Sequence, residues 1–205
     1  MSKWAAQSPS PQAAHGRTFA GSPLPVPSPT GVPMSLKTFA DALPDYAKDL
    51  RLNLTSILSD QLLGDERRSG LLLACAHGSG YKPLVEAAEA ELDGKLSETQ
   101  ANAARGAAAL MAMNNVYYRF VHLTSNPEYG TMPARLRMNI IGSHGISKED
   151  FELFSIAVSA MNGCGMCIDS HERVLLEHGV KPDVIQSAVR IAAVMKALAT
   201  VHATL

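Results

Sequence analysis

Cysteine is scarce in this chain: Cys75, Cys164 and Cys167 are the only three in 205 residues. A secreted, disulfide-stapled domain would be shorter and carry more of them in even number, so a reducing, cytoplasmic setting is expected. In such a setting a CxxC pair is a catalytic or metal-binding device more often than a structural staple. Charge imbalance is lacking too. A formal net charge of −1 gives no bulk electrostatic reason to expect nucleic acid or an anionic membrane as partner. Nor does any uninterrupted apolar run approach the ~20 residues of a membrane helix; the longest, such as 105–113, are short and alanine-rich. Alternating, β-branched segments are missing as well, which excludes a sheet and leaves an all-α chain. Acidic residues are absent before Asp41, while seven of the twelve prolines fall within residues 1–33. That segment buries too little apolar surface to offset its ordering entropy, so it is expected to be a disordered extension. It has no apolar core of ~7–15 residues such as a secretory signal needs, and its prolines oppose the amphipathic helix of a transit peptide. Met34 reads as the natural start, and 34–205 as one helical domain.

What is present is helical periodicity. Leu43, Tyr46, Leu50, Leu54, Ile57 and Leu58 recur at three- and four-residue steps and predict a helix over 45–62, ended by Gly64. A second apolar stretch runs over 69–76 and stops at His77-Gly78-Ser79-Gly80; a third helix spans 81–92. Ser97-Glu-Thr-Gln100 reads as a capping box opening a long helix to about His122. Pro127, Gly130 and Pro133 interrupt the pattern, and 134–141 is expected to hold one or two short turns. Ser147 as N-cap, with Glu149 and Asp150 in the first turn, starts a helix to about Met161. Further helices are predicted over 164–178 and, from Pro182 at a first helical position, 182–202. The stretch 71–81 resembles 157–167 in its order of apolar helix, small-residue break and new helix, as two related helical halves would, although chance similarity of alanine-rich helices accounts for it about as well.

The chemistry concentrates at 147–172. Asn162-Gly163 breaks one helix and Cys164 begins the next, where unpaired amides and the dipole favour thiolate over thiol. Cys167 and His171 follow at helical spacing on the same face, so the two sulfurs can close a small disulfide and an imidazole can serve it with protons. Glu152 precedes Cys164 by twelve residues and reaches the site only if the two helices fold back on each other, completing a carboxylate–imidazole–dithiol relay. Zinc is a rival reading, but it requires four ligands, and His178 would have to join Cys164, Cys167 and His171 from the same helix. A buried, inert cysteine pair is another, opposed by the polar residues around it. Glu152 on composition alone is a solvated first-turn carboxylate. Cys75 reads as core packing, His77 and His122 as structural, and Tyr117, Tyr118 and Phe120 as core or subunit interface rather than substrate pocket.

Glu, then CxxC twelve residues on, then three residues and His, inside a helical chain of this size, resembles the alkyl hydroperoxide reductase AhpD family, within the carboxymuconolactone decarboxylase-like superfamily. The likeness covers roughly 34–205. It implies an all-helical homo-oligomer, commonly a trimer, that reduces alkyl hydroperoxides and recycles a partner peroxiredoxin of the AhpC type. Electrons would come from lipoyl groups of a dehydrogenase-complex subunit, with no tightly bound cofactor. It further implies that Cys167 becomes the sulfenic acid, that Cys164 is proton donor and disulfide partner, and that His171 and Glu152 complete the relay. The helix-end argument alone favours Cys164 as nucleophile, so the two lines conflict. Some members of the family carry a second histidine between the cysteines where this chain has Met166, which cannot relay protons. A carboxymuconolactone-type decarboxylase and a non-enzymatic helical oligomer are the alternatives.

Overall fold

A computed structural model describes residues 35–205; the proline-rich segment 1–33 and its expected disorder lie outside the described residues. Nine α-helices run through the described residues, without a strand: α1 (Leu36–Asp41), α2 (Lys48–Ser59), α3 (Asp65–Ser79), α4 (Lys82–Leu92), α5 (Glu98–Leu123), α6 (Glu128–Thr131), α7 (Lys148–Asn162), α8 (Gly165–Glu177) and α9 (Pro182–His202). The all-α expectation holds.

Helix boundaries follow their caps. Ser97 Oγ accepts from the Gln100 amide at 3.3 Å, and Gln100 Oε1 accepts from the Ser97 amide at 2.8 Å, so the predicted capping box opens α5. Ser147 Oγ accepts from the Asp150 amide at 3.1 Å at the start of α7. Pro182 sits at the first position of α9.

Three expectations need correction. The helix predicted over 45–62 is a 3-10 turn at Asp45–Ala47 followed by α2, and Tyr46 stands 76% exposed instead of on the buried face. Gly64 does not end that helix but caps the start of α3, at φ +71°, a left-handed value that glycine adopts without steric cost. Of the short turns expected at 134–141 the structure has one, a 3-10 turn at Asn139–Gly142, while α6 forms earlier, where Pro127, Gly130 and Pro133 were expected to interrupt the helical pattern.

Every residue from Ser69 to Ala76 in α3 is buried, the signature of a helix surrounded on all sides. α3 packs against α5, α7, α9 and α4. Alanines 101, 103, 104, 107 and 108 line the buried face of α5, and small side chains there let α3 and α7 approach closely. The ring of Phe154, from α7, lies against the backbone of α3 at Gly70, where a methyl group would collide with it. α9 is, by length and composition, apolar enough to cross a membrane, although Asp183, Arg190 and Lys196 interrupt it, so no uninterrupted apolar run reaches that length. Its buried face, Ile185 to Ala199, packs on α2, α3 and α7, which makes it a core helix. Each fully buried Leu, Ile or Met on these faces contributes about 1.5–3 kcal/mol of transfer free energy.

Candidate functional site

α7 ends where Gly163 takes φ +68° and the amide of Cys164 turns back to the Ser159 carbonyl at 3.1 Å. Cys164 is the N-cap of α8 and Cys167 its third residue. Their Cα atoms are 5.3 Å apart and the two sulfurs are bonded to each other. Cys164 is 0% exposed and Cys167 6%. The hairpin of α7 and α8 carries Glu152 across to His171, whose Nδ1–H donates to Glu152 Oε2 at 2.6 Å. Glu152 is therefore a buried carboxylate with an imidazole partner, not a solvated one. His171 Nε2 stands 3.3 Å from Met111 Sδ. With the disulfide closed, the ring meets a thioether, and among the described residues neither cysteine sulfur is its hydrogen-bond partner.

α5 braces this turn with residues one helical turn apart, a stripe that faces a single direction. Asn115 Nδ2 donates to Ser159 Oγ at 2.9 Å, Ser159 Oγ donates to Met111 Sδ at 3.3 Å, and Asn162 Nδ2 donates to Asn115 Oδ1 at 2.9 Å. Arg119 Nη1 adds a bond to the Asn162 carbonyl at 2.6 Å. The last turn of α7, and with it the position of Cys164, is fixed from a helix some fifty residues earlier in the chain.

A cleft of about 330 Å³ opens beside the disulfide. α8 lines it with Met166, Cys167, Ser170 and His171, α5 with Met111, Asn114 and Tyr118, and the connection before α7 with Met138 and Ile141. Cys164 is not among the lining residues. Tyr118, expected in the core or at a subunit interface, forms part of the cleft wall. Met111, Asn114, Asn115 and Met138 carried no sequence signal: an alanine-rich helix with methionine and asparagine reads as core.

The remaining candidates separate from the site. Cys75 is fully buried, and burial pushes its thiol up to about 12. His77 has a partner, Glu89 Oε1 at 2.8 Å, in a cluster with Arg105. His178 Nδ1–H donates to the carbonyl of Val174 in its own helix at 2.9 Å. Phe120 is exposed and packs edge-on against Tyr129.

Residues 127–205, from α6 to the end of α9, match the Carboxymuconolactone decarboxylase family. The chain is 75% identical over 171 residues to the alkyl hydroperoxide reductase AhpD of Rhizorhabdus wittichii, covering 83% of this chain and 99% of the relative. It is 57% identical to the AhpD of Rhodopseudomonas palustris, over 81% of this chain and 92% of that one. With the AhpD of Hyphomonas neptunium identity is 55%, over 83% and 94%. Similarity of this depth over this length leaves one assignment: the chain belongs to the AhpD family of alkyl hydroperoxide reductases.

Proposed function

We propose that hydroperoxide reduction runs through the Cys164–Cys167 pair with His171 and Glu152 as its proton relay. One observation carries the reading: of the two sulfurs, Cys167 is the one that lines the cleft, together with His171 one turn further along α8. This favours Cys167 over Cys164 as the attacking sulfur, in spite of the N-cap position of Cys164. In the reduced protein the Cys167 thiolate attacks the terminal oxygen of the hydroperoxide. An S–O bond forms, the O–O bond breaks and the alkoxide leaves as alcohol with a proton supplied by Cys164 through His171. Cys164 then displaces hydroxide from the Cys167 sulfenic acid. The disulfide closes and water leaves with the relay's proton. Glu152 orients the ring throughout.

Two electrons and two protons return the pair to the dithiol. We assign them to dihydrolipoyl groups of a dehydrogenase-complex subunit, a substrate in place of a bound cofactor, by exchange through a mixed disulfide. The same dithiol reduces the disulfide of an AhpC-type peroxiredoxin. Both assignments and a homotrimer follow from the family resemblance, and a cytoplasmic location from the scarcity of cysteine. The homo-oligomer draws support from exposed apolar residues around the cleft end of α5 and the following connection, Val116, Phe120, Leu123 and Met132. We also read α3–α4 and α7–α8 as related halves, of which only the second is armed, because both turn through a left-handed glycine followed by one extended residue.

Protein reduced with dihydrolipoamide is expected to consume an alkyl hydroperoxide and to reduce an oxidised peroxiredoxin, and Cys167→Ser to do neither. Activity of that variant at the parent's level would refute the assignment.

A further inference from the structure

Asn114 is 6% exposed and lines the cleft next to Met111 on α5. Its Nδ2 donates to Met138 Sδ at 3.2 Å, whereas its Oδ1 is closed from solvent and has no hydrogen-bond partner among the described residues. Exchanging the two amide atoms gives nothing better, since the oxygen would then face the lone pairs of the thioether and the N–H₂ would be stranded. A buried amide oxygen without a donor is costly and rare in folded proteins. Ser155 Oγ is the other such atom among the described residues, but Ser155 is fully buried in α7 and does not line this cleft. A ligand in the cleft can answer the Asn114 oxygen.

We propose that the Asn114 carbonyl is the hydrogen-bond acceptor that holds the hydroperoxide for attack. This rests on the dithiol reading above and adds a substrate-binding residue to it. An alkyl hydroperoxide has a single donor, the O–H on its terminal oxygen, which is also the oxygen that the Cys167 thiolate must attack. Of the other polar groups of the cleft, His171 Nδ1 is taken by Glu152 and Nε2 faces a sulfur, while the hydroxyls of Tyr118 and Ser170 can find other partners in water, unlike the closed-off oxygen of Asn114. Accepting the O–H at Asn114 orients the O–O bond without deprotonating it. The alkyl part then lies among Met111, Met138, Met166 and Ile141, whose flexible thioethers and apolar carbons suit an irregular chain. In the attack the S–O bond forms at that same oxygen and the O–O bond breaks. The proton stays on the oxygen, so Asn114 keeps its hydrogen bond in the Cys167 sulfenic acid, while the alkoxide draws its proton from the relay. Met138, with three rotatable bonds on a segment outside any helix, is the side chain that swings aside to admit the substrate.

The test separates the two half-reactions. Asn114→Leu keeps the volume and removes the acceptor. In single-turnover stopped flow, oxidation of the reduced variant by tert-butyl hydroperoxide is expected to slow about tenfold, the order that one neutral hydrogen bond carries. Reduction of its disulfide by dihydrolipoamide should stay within about twofold of the parent, because that step does not use the acceptor. An unchanged oxidation rate, or an equal fall in both halves, overturns the proposal. Should Asn114→Leu fail to fold, the parent protein in its disulfide form, which cannot turn over, answers the question by NMR. Tert-butyl hydroperoxide is expected to shift the Asn114 side-chain amide signals and di-tert-butyl peroxide, which has no O–H, to leave them in place. Signals that do not move, or move equally with both peroxides, overturn it. Cys167→Ser distinguishes the two levels: hydroperoxide oxidation that survives it sinks the dithiol reading, whereas oxidation that needs Cys167 but ignores Asn114→Leu sinks only the role of Asn114.

Discussion

The α3–α4 and α7–α8 hairpins are built alike, and only the second carries the proposed dithiol site. Each begins with a fifteen-residue helix, turns through a left-handed glycine, Gly80 at φ +71° or Gly163 at φ +68°, and restarts after one extended residue, Tyr81 or Cys164. Arg67 and Asp150, 83 residues apart at matching places in the two hairpins, pair at 2.5 Å. The same offset sets Ser69 against Glu152, Leu84 against Cys167 and Ala88 against His171. Each hairpin also ties a glutamate to a histidine across its two helices: His77–Glu89 at 2.8 Å, Glu152–His171 at 2.6 Å. The difference is what surrounds the pair. Arg105 from α5 grips Glu89 with two nitrogens, at 2.9 and 2.7 Å, and holds its carboxyl down at about 2. Such a carboxylate is committed to the guanidinium of Arg105. Glu152 has no arginine, and its histidine opens onto a cleft beside a sulfur. Distance alone does not make a relay; the pair needs a free valence and a reacting atom within reach.

Breaking the armed hairpin is expected to have the largest effect. Cys164→Ser or Cys167→Ser should reduce dihydrolipoamide-dependent peroxidase turnover to the background of the buffer, while Cys75→Ser in the first hairpin keeps turnover near the parent's. Next in size is Glu152→Gln. Losing the carboxylate that orients the imidazole is expected to lower kcat about 100-fold, the lower end of what general acid–base groups contribute. Glu89→Gln, its counterpart, should leave kcat within about twofold, since that site is not asked to move a proton. Steady-state kinetics on these variants decides; a Glu152→Gln enzyme with parental kcat ends the relay argument. A smaller contrast lies in the thiols. With its thiol pushed up to about 12, Cys75 is almost entirely protonated at pH 8, so iodoacetamide on the reduced native protein should label Cys167, which lines the cleft, and reach Cys75 only in urea. Mass spectrometry that finds Cys75 labelled as fast as Cys167 would erase the distinction.

Much of this was legible in the chain. Caps written in Ser97, Gln100, Ser147 and Pro182 fix the starts of α5, α7 and α9 locally, so short-range pattern suffices for them. Cys164, Cys167 and His171 share one helix, and spacing on one helix is read directly. Glu152 required a further premise, that α7 and α8 fold back on each other, which the left-handed Gly163 supplies. Met111, Asn114, Asn115 and Tyr118 were not legible. They come from α5, about fifty residues before the cysteines, and no spacing rule links side chains brought together by packing alone. Tyr46 failed for a related reason: its step matches a helix, but Pro44 and a 3-10 turn precede α2 and rotate it out to solvent.

The smallest expected effect concerns the locked pair, and it tests whether α3–α4 is held by charge where α7–α8 is used for chemistry. Glu89 ionises at about 2 when folded against 4.5 ordinarily, chiefly through the Arg105 hydrogen bonds. Because the folded value is the lower one, the unfolded chain takes up the proton first as pH falls. The stabilisation is complete above pH ~4.5 and disappears between there and pH ~2. The full gap would correspond to about 3 kcal/mol, but the side chain is 34% exposed and solvent screening reduces it to about 1 kcal/mol. Glu89→Gln is therefore expected to lower Tm by about 3 °C at pH 7 for a domain of this size and by nothing measurable at pH 2. Asp60, held below its ordinary value by Ser187 and the Leu62 amide, weakens the fold along the same acid limb in both proteins, so the difference between parent and variant isolates Glu89. Thermal melts across pH 2–7 read it. A difference that persists at pH 2 would mean that the substitution disturbs packing and not charge, and equal melting at pH 7 would mean that Arg105 and His77 find other partners, leaving the first hairpin no more locked than the second.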